Sequence, residues 1–215
     1  MMNRVPKVKK VMQDQNSEAW KQLCLYIDKV AEEGHEEFEP RKGIGSELFQ
    51  LIETLPKSIA KLKKVKRMML YGSHLKQIPP EIGEMESLEE FIPYTSYNLM
   101  WFPYEIIHCK NLKRSTVSTR ALYGNYKFRT HFPNLYQRPL KYYDSEIVKC
   151  SICKNEIPES ETDQYWVSLP IATDVLPLLV NVCSESCKAK IPQPSELYVQ
   201  FPHKGGEFIK QPEKY

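Results

Sequence analysis

"TLPKSIAKLKKVKRMMLYGSHL", residues 54–75, governs the architecture, because two later stretches repeat its pattern. "QIPPEIGEMESLEEFIPYTSYNL" (77–99) and "WFPYEIIHCKNLKRSTVSTRAL" (101–122) can be laid beneath it. Leu55-Pro56, Ile78-Pro79 and Phe102-Pro103 then align. So do Ile59, Ile82 and Ile106, then Leu62, Met85 and Cys109, then Val65, Leu88 and Leu112. The period is 23 residues, then 24. One such unit cannot bury its own apolar side. Neighbouring units must stack to make a continuous core.

The pattern resembles the leucine-rich repeat family in its intracellular 23-residue form, over about 54–122. The resemblance implies an α/β fold, a short solenoid with a helical N-terminal cap. Each repeat would place a short strand on a concave face and a prolyl loop with a helical segment behind it. It also implies a protein-binding scaffold. Three departures stand out. The family's asparagine positions hold Ser73, Ser96 and Arg120. Pro93 occupies a strand position, where it lacks an N–H for the ladder. Ser115 stands where an apolar residue is expected.

A stack of three repeats needs capped ends. "NSEAWKQLCLYIDKVAEEG" predicts a helix with Ser17 as N-cap and Gly34 as its stop. Trp20, Leu23, Cys24, Ile27, Val30 and Ala31 share one face. A second short helix is predicted from Ser46. Cys24 and Cys109 fall on apolar positions and read as small core residues.

The other four cysteines lie together in sequence. Cys150 and Cys153 are followed 29 residues later by Cys183 and Cys187, a CxxC-x29-CxxxC pattern. Paired cysteines at such spacing suit zinc, which takes four thiolates in a tetrahedron. Between the pairs, "QYWVSLPI" and "VLPLLVNV" read as two strands. The second pair opens a predicted helix, "SESCKAKI" (184–191). Knuckle, hairpin and helix resemble a zinc ribbon or treble-clef finger, so a small α+β zinc-binding module is expected after the repeats. A redox CxxC is the weaker alternative, because no thioredoxin-like strand-then-helix context surrounds Cys150. Four unbound thiols remain a third, and iron also suits four thiolates. With all four positions filled by thiolate, the metal would stabilise the fold and activate no water.

Nothing argues for catalysis. No Gly-rich phosphate loop, HExxH or nucleophile elbow occurs. The five histidines are scattered and read as surface or turn residues. The net charge of +3 names no partner. No apolar run approaches the length of a membrane span, and the start lacks the apolar core of a secretory signal. A cytoplasmic location is expected.

Two surfaces suggest partners. Strand alternation predicts that Arg67, Met69 and Tyr71 point outward, then Glu90, Ile92 and Tyr94, then Arg114, Thr116 and Ser118. Apolar and aromatic residues flanked by charges suit a protein partner. The aromatic insertion "YTSYNLMWFPY" (94–104) borders this face, either exposed or buried under the zinc module. The second surface is 106–143, with eight Lys or Arg, seven aromatics from Tyr123 to Tyr143 and no acidic residue. Its plainer reading is a connector whose rings pack on the core while its cations reach water. Its other reading is nucleic-acid binding.

The expected organisation is therefore an N-terminal helical cap (1–53), repeats (54–122), a basic aromatic connector (123–145), a zinc module (146–191) and an extended Pro-rich tail (192–215). The expected function is a non-catalytic protein-protein interaction scaffold. A nucleic-acid or ribonucleoprotein binder ranks second.

Overall fold

Helix α1 (Glu18–Glu33) starts where Ser17 Oγ accepts the Trp20 N–H at 3.3 Å. It stops at Gly34, whose φ of 67° few other residues adopt. Its buried face is Ala19, Leu23, Ile27 and Val30, while Trp20 and Ala31 pack partly against the core. The computed structural model describes residues 11–137, 139–142 and 146–212.

After α1 come β1 (Glu37–Phe38), α2 (Pro40–Gly43), α3 (Ser46–Phe49), β2 (Arg67–Met69) and β3 (Glu90–Ile92). Then follow β4 (Phe102–Pro103), β5 (Arg114–Ser115), β6 (Ile147–Lys149), β7 (Glu156–Pro158), β8 (Asp163–Ile171), β9 (Asp174–Val182) and α4 (Glu185–Lys188). Strands β1, β2, β3 and β5 form a parallel sheet in that order. Glu37 pairs with Arg67, Arg67 with Glu90 and Glu90 with Arg114. The 23- and 24-residue spacing is thus the register of the ladder. Phe38, Met68 and Phe91 share the next row and are buried. Behind the sheet stack three 3-10 turns, Lys57–Lys61, Pro80–Glu84 and Tyr104–His108. A proline with extended backbone precedes each, its ring holding φ near −70°.

The fold class expected above needs correction. The protein is not a short leucine-rich repeat solenoid with a helical N-terminal cap followed by a small α+β zinc-binding module. It is a mixed α/β body with four short-to-medium α-helices among the described residues, one small parallel sheet and two sheets that contain antiparallel pairs. The physical reason lies at β4. Its residues Phe102 and Pro103 pair in parallel with Leu178 and Leu179 of β9, which itself pairs antiparallel with β8. The cysteine-bearing hairpin is therefore built into the body instead of appended to it. One cluster of buried side chains runs from Ala19 to Cys187.

The sequence departures find physical causes here. Ser115, on the outer strand β5, meets the β8–β9 turn. Its N–H donates to Thr173 Oγ1 at 3.1 Å, and Thr173 Oγ1 donates back to Ser115 O at 2.7 Å. Ser115 Oγ also donates to Ile171 O at 2.9 Å. The turn thereby covers a strand edge that would otherwise be open. An apolar side chain could not make the Oγ bond to Ile171 O. Pro93 lies just past the end of β3, so no ladder bond is lost. The serine ladder runs through Ser73, Ser96 and Ser118, with Ser73 Oγ 2.7 Å from Ser96 Oγ. Ser118 Oγ accepts the Thr95 N–H at 2.8 Å. Arg120, assigned to that ladder by alignment, is exposed instead.

A second buried cluster centres on Trp166, with Trp101, Tyr123, Phe132, Leu135 and Leu179 around it. Trp166 Nε1 donates to Pro133 O at 3.0 Å, satisfying the indole. The tail, expected to dock through Leu197, Tyr198 and Phe201, buries Tyr198 but leaves Leu197 and Phe201 exposed, and it meets Trp166 through His203. Trp166 and His203 exchange backbone bonds of 2.8 and 3.1 Å. Burial pulls the His203 imidazole from its ordinary 6.5 down to about 4. A base with a depressed folded-state pKa contributes stability that is whole above 6.5 and falls away as pH drops toward 4. The loss should reach roughly 3 kcal/mol by that point. His203→Gln should flatten this part of the pH–stability curve. Chemical denaturation across that range checks it, and parallel curves for parent and variant would count against the assignment.

Candidate metal centre

The four cysteines meet because two tight local structures face each other. Cys150 follows β6 at the start of a turn in which Lys154 N–H donates to Cys150 O and Cys150 N–H to Asn155 O, both at 2.9 Å. Lys154 takes a φ of 68° to close it. The turn joins β6 to β7, antiparallel with Val148 opposite Ile157. On the other side, β9 ends at Val182 and leads directly into Cys183. Ser184 then caps α4, its Oγ accepting the Cys187 N–H at 3.3 Å. Ser151 ties the two halves together, donating its N–H to Asn181 O at 2.7 Å and accepting the Asn181 N–H on Oγ at 3.1 Å.

The sulfur atoms of Cys150, Cys153, Cys183 and Cys187 all lie within 4.8 Å of one another. Cys183 Sγ is 3.6 Å from both Cys153 Sγ and Cys187 Sγ. No disulfide joins them. A tetrahedron with metal–sulfur bonds of about 2.3 Å has sulfur–sulfur edges of about 3.8 Å. The four thiols are therefore spaced to hold a metal ion. Cys150 and Cys187 are buried and Cys153 is exposed, so the site sits at the surface of the core.

The electrostatics suit a cation. Burial would raise the Cys150 thiol, but the backbone N–H groups of Cys153, Ile152 and Cys183 hold it down to about 7. The Ser184 hydroxyl favours the Cys183 thiolate, yet neighbouring Cys153 and Cys187 push that thiol up to about 12. Four adjacent sulfurs cannot all ionise without a positive charge among them. Cys24 and Cys109 lie elsewhere. Cys109 Sγ donates to Ile82 O at 3.2 Å, and burial pushes its thiol up to about 12, which makes it an inert core residue.

The outward face of the parallel sheet receives most of its expected residues. Arg67 lies between Glu37 and Glu90, at 2.5 and 3.5 Å. Met69, Ile92 and Glu90 are half-buried, and Arg114 is exposed. Tyr71 and Tyr94 are each 48% exposed, their ring centres 6.1 Å apart. Thr116 is only half-exposed, and Ser118 is buried and used by the serine ladder, so it does not present its side chain. A groove of about 460 Å³ opens between this face and the two short helices, lined by Glu39, Arg41, Lys42, Met69, Tyr71 and Ile92. Arg41 was not evident in the sequence. Its guanidinium lies 5.9 Å from the Tyr71 ring centre and donates to Ser46 Oγ at 2.7 Å. Only the return of α2 onto the sheet brings it there.

The aromatic insertion divides. Trp101, Phe102 and Tyr104 are buried, while Tyr94 and Tyr97 face out. The basic connector divides too, with Tyr123 and Phe132 in the Trp166 cluster and Tyr126, Phe128 and Tyr136 exposed. Its residues Arg138 and Tyr143 lie outside the described residues. A further feature missed in the sequence is Glu105, which lines a cavity of about 790 Å³ with Pro80, Gly83, His108 and Lys154. Burial pushes its carboxyl up, and one carboxyl oxygen has no hydrogen-bond partner. Among the described residues no helix is long and apolar enough to cross a membrane. No protein-family model matches the chain, and no curated protein matches it.

Cys150→Ser and Cys183→Ser are each expected to cut the bound metal from about one ion per chain to near none and to lower the melting temperature by several degrees. Elemental analysis of the purified protein and calorimetry measure both. Unchanged metal and unchanged melting would remove the centre.

Proposed function

We propose that the protein is a non-catalytic interaction protein, with a structural zinc ion in its four-cysteine site and a protein partner on the outward face of its parallel sheet. The observation that carries the reading is the exposed Tyr71–Tyr94 pair beside the groove floored by Met69 and Ile92. Exposed rings held just past the ends of paired strands give large contact area at little entropic cost on binding. The partner side chain that fits the groove is aliphatic. Arg41 and Lys42 at its rim favour a carboxylate next to it. Arg67, Glu90 and Arg114 border the face with alternating charge and serve specificity more than affinity.

Zinc is the metal that the all-sulfur donor set and sulfur spacing favour. Cys150, Cys153, Cys183 and Cys187 would fill its coordination, leaving no position for a reacting water. Its contribution is to hold the β6–β7 turn against the end of β9. A kinship with leucine-rich repeat proteins is supported by the three prolyl turns and the 23- and 24-residue register. A cytoplasmic location is supported by the free thiols.

Capture of partners from the native host, with parent and a Tyr71→Ala/Tyr94→Ala variant compared by quantitative mass spectrometry, tests the face. A protein retained by the parent and reduced about tenfold or more by the variant supports it. Identical sets of captured proteins would place the partner site elsewhere.

A further inference from the structure

Residues 120–137 carry aromatic side chains of two kinds. Tyr123, Phe132 and Leu135 are buried around Trp166. Tyr126, Phe128 and Tyr136 are 44%, 49% and 79% exposed. The buried set anchors the turns that carry the exposed set. Asn125 Oδ1 accepts the N–H groups of Lys127 and Phe128, each at 3.0 Å. Gly124 N–H donates to Thr130 O at 2.7 Å, and Arg129 N–H to Asn125 O at 2.8 Å. Asn134 Oδ1 does the same for the next turn, accepting from Tyr136 N–H at 2.9 Å and Gln137 N–H at 3.3 Å. These are built turns that display rings to solvent. A connector whose only task is to pack would turn those rings inward.

The charges beside Phe128 have one sign, whereas Lys204, 5.2 Å from the Tyr136 ring centre, is paired with Asp163. Arg120 lies 5.6 Å and Lys127 5.8 Å from the Phe128 ring centre. Arg129 donates to Pro212 O at 2.7 Å, which positions the guanidinium without neutralising it. In this basic stretch the ion pairs take Lys113 and Lys141. Arg120, Lys127 and Arg129 have no carboxylate at ion-pair distance among the described residues. No acidic residue occurs between 106 and 143.

We propose that the two turns at 120–137 bind single-stranded nucleic acid, with Phe128, Tyr126 and Tyr136 stacking on unpaired bases and Arg120, Lys127 and Arg129 facing phosphates. A duplex hides its base faces and would meet only the cations, so the rings select the single strand. The proposal uses none of the residues of the Tyr71–Tyr94 face and does not depend on it.

Fluorescence anisotropy with labelled oligonucleotides of about twelve nucleotides tests this on the full chain. Matched RNA, DNA and duplex probes are used, the first two distinguishing the sugar. Single strands should bind, and three phosphate contacts should weaken binding roughly twentyfold between about 50 and 200 mM salt. Phe128→Ala should weaken it about tenfold, as loss of one stacked base does. Arg120→Ala/Lys127→Ala should both weaken it and flatten the salt dependence. These side chains are exposed, so unchanged melting of each variant is the control for folding. The proposal fails if no single strand binds at about 100 μM protein in low salt. It fails equally if the duplex binds as well as the single strand and Phe128→Ala changes nothing, which would describe a merely cationic surface.

Discussion

The pairing of Phe102 and Pro103 with Leu178 and Leu179 places every other part of the molecule. Two stretches of chain that could each have formed a separate layer become one body at this contact. Phe102 also meets Phe91 of the parallel sheet edge-on, with ring centres 5.8 Å apart. The same strand β9 carries Leu179 into the Trp166 cluster and leads into Cys183. A short backbone pairing therefore sets the position of the sheet face, the aromatic cluster and the thiols relative to one another.

Edges are the recurrent difficulty of so small a parallel sheet. Strands of two and three residues bury little, and their outer edge invites pairing with another chain. Thr173 and Asp174 meet that edge through Ser115. The far edge at β1 leads into α2, whose Arg41 reaches back to Tyr71. What remains open is the outward face, and there Tyr71 and Tyr94 lie exposed. The metal centre stands on the opposite logic. Its thiols are brought together by ordinary caps and turns, and the electrostatic conflict among them asks for a cation. A metal there would join the β6–β7 turn to the start of α4.

The helix α1, its caps at Ser17 and Gly34 and the grouping of Cys150, Cys153, Cys183 and Cys187 were legible in the sequence. Each depends on local spacing. Caps are read within four residues, and a cysteine pair within a turn. The register of β2, β3 and β5 was legible for the same reason, since the period is a count along the chain. The fold class was not. Nothing local in Phe102-Pro103 names Leu178-Leu179 as its partner, and a separate module was the natural expectation. Ser118 was misjudged as outward-facing because its hydroxyl turns in to accept the Thr95 N–H. The division of the connector's rings, with Tyr123 and Phe132 inside and Tyr126, Phe128 and Tyr136 outside, was equally opaque. A ring on a basic segment packs inward or faces water according to where Trp166 stands, not according to its neighbours in sequence.

Read alone, the chain establishes the periodic apolar positions, the prolyl turns that follow them and the presence of four thiols in two close pairs. These are consequences of covalent geometry and short-range hydrogen bonding, which act within one turn or one repeat. It took the folded molecule to settle that the hairpin joins the body through β4, that Arg41 lies against Tyr71, and that Phe128 and Tyr136 stay exposed while Tyr123 and Phe132 are buried. Those outcomes rest on contacts between residues tens of positions apart. Burial at such a contact is settled by the competition of all apolar side chains for one interior, which no single stretch of sequence contains.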